Sequence, residues 1–411
     1  MKSSIHSFSF FLLLVLAFID FMGIGLVYPM FSSMIFHRGF ELLPIHTEDV
    51  ARGMWLGILL ASGPLAQFFS APIIGAISDQ KGRKTPLISS VFIIVFGYVI
   101  SAMGVWYKSL WLLILGRIVV GVGSGSTAII NAAIADMSLP EEKAKRFGLM
   151  SMAYGIGFMI GPFLGGKIAA WGGFDKPFIF AAVVSIVSLL LLMKYFHETH
   201  HVRKVVALSF SLGIQNLKKA VKITSIRLVL LCFMFFCIGW SFYWDFIPVT
   251  WMQGYGLSVS QVGDLYAYGA AFYALSCGIL IRPIVKRFHP IRILFFGLVL
   301  LSLSLLVLLF HKKVGYYWLY IPIQQYLIAL VFPTGVAVIS NSVDEDSQGE
   351  VMGVLQSVES FAFAATPFLA GGIIGLQYYM PVLIGGIAMF LGACVLLFGY
   401  VPILFKRAEK I

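Results

Sequence analysis

The chain has 411 residues, 60% of them hydrophobic and 11% charged, with a mean hydropathy of +0.94. That balance lies far from ordinary soluble composition and defines an integral membrane protein. The formal charge of +11 falls in breaks between apolar runs, so it reads as membrane topology and argues against a nucleic-acid partner.

A hydrocarbon core of roughly 30 Å needs about 20 apolar residues in a helix. Runs of that kind predict twelve transmembrane helices, over 8–36, 53–78, 85–106, 110–136, 147–170, 177–196, 227–252, 260–281, 291–310, 316–340, 350–374 and 379–404. The first run is longer than a signal-peptide core and no small-residue cleavage site follows, so it is expected to stay as a span. Its stretch FIDFMGIGLVYPMF, Phe18 to Phe31, sets Asp20 among apolar residues. A carboxylate there costs a few kcal/mol, and such residues usually carry function. Between the second and third spans, GAISDQKGRKTPL offers Gly75 and Gly82 for a tight turn, with Asp79 set to cap a helix start or pair with Arg83 or Lys84. The fourth span carries GRIVVGVGSGS from Gly116, which buries Arg117, and then Asn131. The fifth carries GIGFMIGPFLGG from Gly155; its Gly157, Gly161 and Gly165 let helices approach closely, and Pro162 is expected to add a local break.

At the end of the sixth span, HETHH (His197 to His201) matches the zinc pattern H-E-x-x-H. The helix is ending there and no third ligand or cleft accompanies it, so a solvated basic mouth is the expected reading and no metal or cofactor is assigned. The segment SFSLGIQNLKKAVKIT, 209–224, is expected either as a short amphipathic helix on the membrane surface or as a solvated linker. The seventh span holds Asp245 in WSFYWDFIPVTW, and Trp240, Tyr243 and Trp244 beside it offer broad stacking faces. Asp264, near the start of the eighth, reads as a loop-proximal cap. Gln324 in the tenth and Gln356 and Glu359 in the eleventh complete the candidate cavity. Cys232, Cys237, Cys277 and Cys394 read as small core residues.

Lys2, Lys81, Lys143, Lys145, Arg146, the stretch from Lys194 to Arg227, Arg282, Lys286, Arg287, Arg292, Lys406, Arg407 and Lys410 share one side of this topology. The other side keeps chiefly Arg38, Arg52, Lys108, Lys176, Lys312 and Lys313, so both termini are expected in the cytoplasm. The polar interruption divides the chain into bundles 1–196 and 227–411 around a linker, 197–226. The halves repeat: FGLMSMAYGIGFMIGPFLGG from Phe147 aligns with VMGVLQSVESFAFAATPFLAGG from Val351, pairing Gly148 with Gly353 and Pro162 with Pro367 at a separation of 205. Two parallel six-helix halves with a site between them are a transporter architecture.

The loop GAISDQKGRKTPL resembles the signature between helices two and three of the major facilitator superfamily. IDFMGIGLVYP, GRIVVGVGSGS and GIGFMIGPFLGG resemble motifs of its drug:proton antiporters, and most closely of the tetracycline efflux branch. The resemblance implies an all-α fold of two pseudo-symmetric six-helix bundles, moving a small molecule against protons by alternating access. It also implies a gating role for Gly75, Asp79, Gly82, Arg83 and Lys84. The branch carries acids in helices three and nine; this chain has none in either, which sets tetracycline itself apart as a substrate. The expected function is a proton-coupled exporter of amphipathic compounds, with Asp20 and Arg117 in proton coupling at nearly equal depth. The alternative is a proton symporter importing a polar or anionic metabolite. No nucleophile elbow, kinase set or Rossmann fingerprint points to an enzyme. The protein is expected as a monomeric multi-pass membrane protein, in the cell (inner) membrane if the source is bacterial.

Overall fold

Twelve helices among the described residues of the computed structural model are long and apolar enough to cross a bilayer. They are α1 (Phe8–Phe36), α2 (Asp49–Lys81), α3 (Lys84–Trp106), α4 (Leu110–Met137), α5 (Arg146–Gly172), α6 (Lys176–Tyr195), α7 (Arg227–Gly254), α8 (Val259–Arg287), α9 (Pro290–Leu308), α10 (Val314–Asn341), α11 (Val351–Leu376) and α12 (Met380–Tyr400). The structure describes residues 2–138, 140–200, 211–223, 226–310, 313–343 and 345–405, without the side chains of 2–7, 140–145, 151, 221, 345–350 and 401–405. The side chains of Lys2, Lys143 and Lys145 and all of Lys312, Lys406, Arg407 and Lys410 therefore lie outside the described residues, with that part of the charge pattern.

The helices correspond one to one with the predicted spans, and the departures have local causes. Helix α2 begins at Asp49, four residues before the predicted start, with its acid in the first turn where the helix dipole favours negative charge. Helix α4 breaks at Ser124–Gly125, between Leu110–Gly123 and Ser126–Met137. Pro162 does not break α5, which stays helical through it. The carbonyl left without a donor by Pro162, that of Phe158, faces Gly25 of α1, where the missing side chain makes room.

Within the first half, α1 packs on α5, α2 on α4, and α3 on α4 and α6; within the second, α7 and α9 pack on α12, and α9 on α10. The halves meet along α2 with α11 and α5 with α8. These two seams are copies of each other. Gly371 lies on the carbonyl of Gly53 and the Cα of Gly57, while Gly166, 205 positions earlier, lies on the carbonyl of Val259 and the Cα of Gly263. The internal repeat read from sequence is thus built into the interface.

Twelve spans place both termini at one end of the bundle. Both glycine seams lie at the opposite end, where one buried core joins Phe31, Leu56 and Leu60 of the first half to Phe242, Phe246, Ala370 and Ile374 of the second. There Lys167 of α5 reaches Asp264 of α8 at 2.7 Å and Ser260 at 2.9 Å. Asp264 is therefore an inter-half ion-pair partner, and the cap of α8 is Ser258, in a capping box with Gln261. At the terminal end the core around Leu13, Ile130 and Phe196 draws only on the first half. A side chain added at Gly148, Gly278 or Gly353 would meet nothing within 4 Å. The two halves are closed at the end opposite the termini, and at the terminal end these three glycines meet nothing of the other half among the described residues.

The linker segment does form a helix, Leu212–Lys222, but it docks on protein. Gly213 lies on the Phe68 ring of α2, and Asn216 donates to Ser357 of α11 at 3.1 Å, so the helix touches both halves. Arg52, expected among the loop charges, is 1% exposed and donates to the carbonyls of Ile35 (2.6 Å), Pro44 (2.8 Å) and Thr47 (3.1 Å). It ties down the turn between α1 and α2.

Candidate functional site

The seam between α1 and α5 sets the position of Asp20. Gly157, Gly161 and Gly165, one per turn of α5, lie on the backbone carbonyls of Phe18, Met22 and Leu26 of α1. Contacts this close fix the rotation of α1 and turn Asp20 toward α4. There Ser126, just past the break in α4, donates to Asp20 Oδ2 at 3.2 Å. Asp20 is 7% exposed and its Oδ1 has no partner. The ring of Tyr154 packs on Phe21 next to it, and the Tyr154 hydroxyl is also without a partner.

Arg117 is equally buried but sits elsewhere. Its guanidinium lies 5.5 Å from the centre of the Tyr28 ring and 5.2 Å from that of Phe31, and Nε and Nη1 have no hydrogen-bond partner. Gly63 of α2 leaves the space it occupies; an added Cβ would come within 2.8 Å of Nη2. Tyr28 stands eight residues beyond Asp20 on α1, about 12 Å along the axis. The expected equal depth is therefore not found. The span is 29 residues long, about 43 Å of helix against a core of roughly 30 Å, so counting turns from its first residue misplaces depth.

The second half presents Asp245, 5% exposed, which accepts a hydrogen bond from Ser241 at 2.5 Å. Its neighbour Trp244 stacks on Trp240 (5.3 Å) and, across the interface, on Phe158 of α5 (5.2 Å). Tyr243 donates to Gln324 Oε1 at 2.7 Å, leaving Gln324 Nε2, Gln325 Oε1 and Trp244 Nε1 unpartnered. A cavity of about 10 Å³ lies between Trp244, Trp251, Tyr266 and Gln325; it has room for about one water molecule. Glu359 on α11 is half-buried, in electrostatic contact with Cys237, and with Gln356 and Asn131 it makes no hydrogen bond or ion pair among the described residues.

The predicted gating loop is a compact charged knot. Arg83, with 5% of its side chain exposed, bonds Asp79 at 2.5 Å, Asp136 of α4 at 2.9 Å and Ser78 at 2.7 Å. Gly82 has φ +92°, which glycine alone adopts readily. The carboxylate of Glu198, from HETHH, accepts the backbone N–H groups of Arg83 (2.7 Å), Lys84 (3.1 Å), Thr199 (3.0 Å) and His200 (2.9 Å). Partial burial pushes this carboxyl up, and the four N–H donors outweigh it and hold it below the usual carboxylate range. Glu198 is thus an N-terminal cap for α3, while His201 lies outside the described residues. A Cβ at Gly75 would meet Ala128 of α4, and the partners of Arg83 and of the loop backbone named here come from the first half and, through Glu198, from the linker. Sequence reading missed Asp136, Glu198, Ser126, Tyr28 and Phe158. Ser126, Tyr28, Phe158 and Glu198 lie inside the quoted stretches GRIVVGVGSGS, IDFMGIGLVYP, GIGFMIGPFLGG and HETHH, and Asp136 lies outside all of them.

The profile of the Major Facilitator Superfamily matches residues 10–324 and again 229–408. The chain belongs to this superfamily. The transporter is 29% identical over 358 residues to the tetracycline resistance protein, class C, of Escherichia coli, covering 86% of this chain and 87% of that one. It is 30% identical over 183 residues to the quinolone resistance protein NorA of Staphylococcus aureus, covering 44% and 43%. Its fold superposes with a TM-score of 0.74 on the crystal structure of the human organic anion transporter MFSD10, at 19% identity, covering 95% of this chain and 99% of that one.

In this transporter the knot around Arg83 gives a direct expectation. Asp79→Asn removes one of its two carboxylate partners and should shift the ratio of terminally open to terminally closed molecules by about 2- to 30-fold, with substrate binding retained. Spin-label distances across the terminal mouth measure this, and unchanged populations would count against a gating role.

Proposed function

We propose that this transporter is a proton-coupled antiporter exporting amphipathic organic compounds by alternating access between bundles 1–196 and 227–411, joined by the linker 197–226. Asp20 carries the reading: a buried carboxylate with one hydroxyl donor and one unpartnered oxygen, held in place by the α1–α5 seam. Burial disfavours a charged carboxylate and hydration restores it, so an acid with alternating access to water loads and releases a proton. The tetracycline and quinolone resistance proteins it resembles support export of drug-like molecules. The stacked rings of Phe158, Trp244 and Trp240 suit a flat apolar body, and unpartnered Gln324 Nε2 and Trp244 Nε1 suit its polar groups. The protein acts as a monomer in a cell membrane with both termini cytoplasmic, so the present arrangement faces inward.

A second reading, import of an anionic metabolite with protons, draws on the unpaired donors of Arg117. Proteoliposomes with an imposed pH gradient separate the two. Antiport moves substrate against the proton flow, symport moves it with the flow, and absence of any gradient-driven flux across a panel of amphipathic cations and neutral compounds overturns both.

Glu359 selects for charge in this reading, because its carboxylate is half-buried on α11 without a cation partner. Glu359→Gln should weaken cationic substrates by about tenfold and neutral ones little, as expected for loss of one desolvated ion pair. Competition binding with a matched cationic and neutral pair tests it; equal losses would assign Glu359 to packing.

A further inference from the structure

Arg117 poses a problem that Asp20 does not solve. It is 3% exposed, two of its nitrogens are unpartnered, and among the described residues no carboxylate forms an ion pair with it. A guanidinium does not lose its proton, so in a dry interior it needs an anion nearby. Asp20 is occupied by Ser126 about two turns away. A carboxylate of the other half, Asp245 of α7, lies within electrostatic reach of Arg117.

The connection is geometric as well. Tyr28, on which Arg117 rests, packs edge-on to Phe158 at 6.1 Å, and Phe158 stacks on Trp244, the residue before Asp245. Phe31, the other ring under Arg117, shares one buried cluster with Phe242 and Phe246, on either side of Asp245. Arg117 and Asp245 therefore flank the same aromatic layer, one in each half, toward the closed end.

We propose that Asp245 is the counter-ion of Arg117 across the interface between the halves, and that its negative charge holds the end opposite the termini closed. With that end shut, both groups are dry and their attraction acts at low dielectric. Opening it separates α7 from α1 and admits water, which solvates each charge separately. Protonating Asp245 in the closed form leaves a buried, uncompensated guanidinium, so acid drives that end open. The titratable and charged groups facing Asp245 are Arg117 from α4, Tyr28 from α1 and Tyr266 from α8. The acid on α11, Glu359, faces Cys237 instead.

The proposal deepens the alternating-access reading and is independent of substrate and direction. Its test is a double-mutant cycle read by distance. Native cysteines are replaced, and spin labels are placed at the exposed Glu48 and Gln377, one in each half at the closed end. Asp245→Asn should raise the ratio of open to closed molecules about tenfold at neutral pH and remove most of its rise on acidification. In an Arg117→Gln background the same substitution should change the ratio less than twofold, since no charge is left to neutralise. Asp245→Glu should keep the wild-type pH response, and monodisperse elution of each variant verifies folding. An equal shift with and without Arg117, or an unchanged pH response in Asp245→Asn, overturns the proposal. Gradient-driven flux failing while the cycle holds would sink the antiport reading alone.

Discussion

Asp20→Asn is expected to abolish accumulation of substrate driven by a pH gradient while leaving substrate binding and exchange near wild type. Asparagine keeps an oxygen that accepts from Ser126 and matches the buried volume, so the seam of α1 with α5 and the contact with α4 survive. What it loses is the capacity to bind and release a proton. A gradient of one pH unit is worth about 1.4 kcal/mol per proton, roughly a tenfold substrate ratio when one proton moves per substrate. The variant should fall from that ratio to about 1. The measurement is substrate uptake into proteoliposomes with and without a pH gradient, with counterflow as the control for binding. A variant that still builds a gradient from pH alone assigns the proton to another acid, and Asp245 and Glu359 are the next to substitute.

The second large effect concerns packing. Gly161→Leu should prevent accumulation of folded protein, because the new Cβ would lie 2.5 Å from the Met22 carbonyl and 2.6 Å from the Leu26 N–H of α1. Both obstacles are backbone, so relief requires α1 and α5 to separate along a seam that also holds Gly157 and Gly165. Overpacking costs about 1–3 kcal/mol where side chains can yield, and more is expected where they cannot. Gly148→Leu is the internal control: it lies on the same helix, and among the described residues nothing stands within 4 Å of the added Cβ. Fluorescence-detected size exclusion and thermal melting should show the Gly161 variant aggregated or strongly destabilised and the Gly148 variant near wild type. Equal melting temperatures would mean that the seam opens without cost.

The linear chain contains much of this architecture because a bilayer makes structure local. Each span must satisfy its own backbone and present about 20 apolar residues, so all twelve helices were legible from composition. The repeat was legible for the same reason: Pro162 and Pro367, 205 positions apart, mark copies of one helix, and glycines 166 and 371 take equivalent places in the two seams. Asp20 and Arg117 stood out because charge within an apolar run is costly wherever the fold places it.

Side-chain partners were decided elsewhere. Arg52 looked like a loop charge and became a buried clamp on three carbonyls. Glu198, in a zinc-like pattern, became the cap of a helix more than a hundred residues earlier in the chain. Arg117, paired by residue counting with Asp20, rests instead on Tyr28 and Phe31 in the field of Asp245. Hydropathy fixes where a helix crosses the membrane but not its tilt, its sliding along its axis or its rotation. Those depend on contacts between segments remote in sequence, and a shift of two turns, about 11 Å, is enough to give a buried charge a different partner.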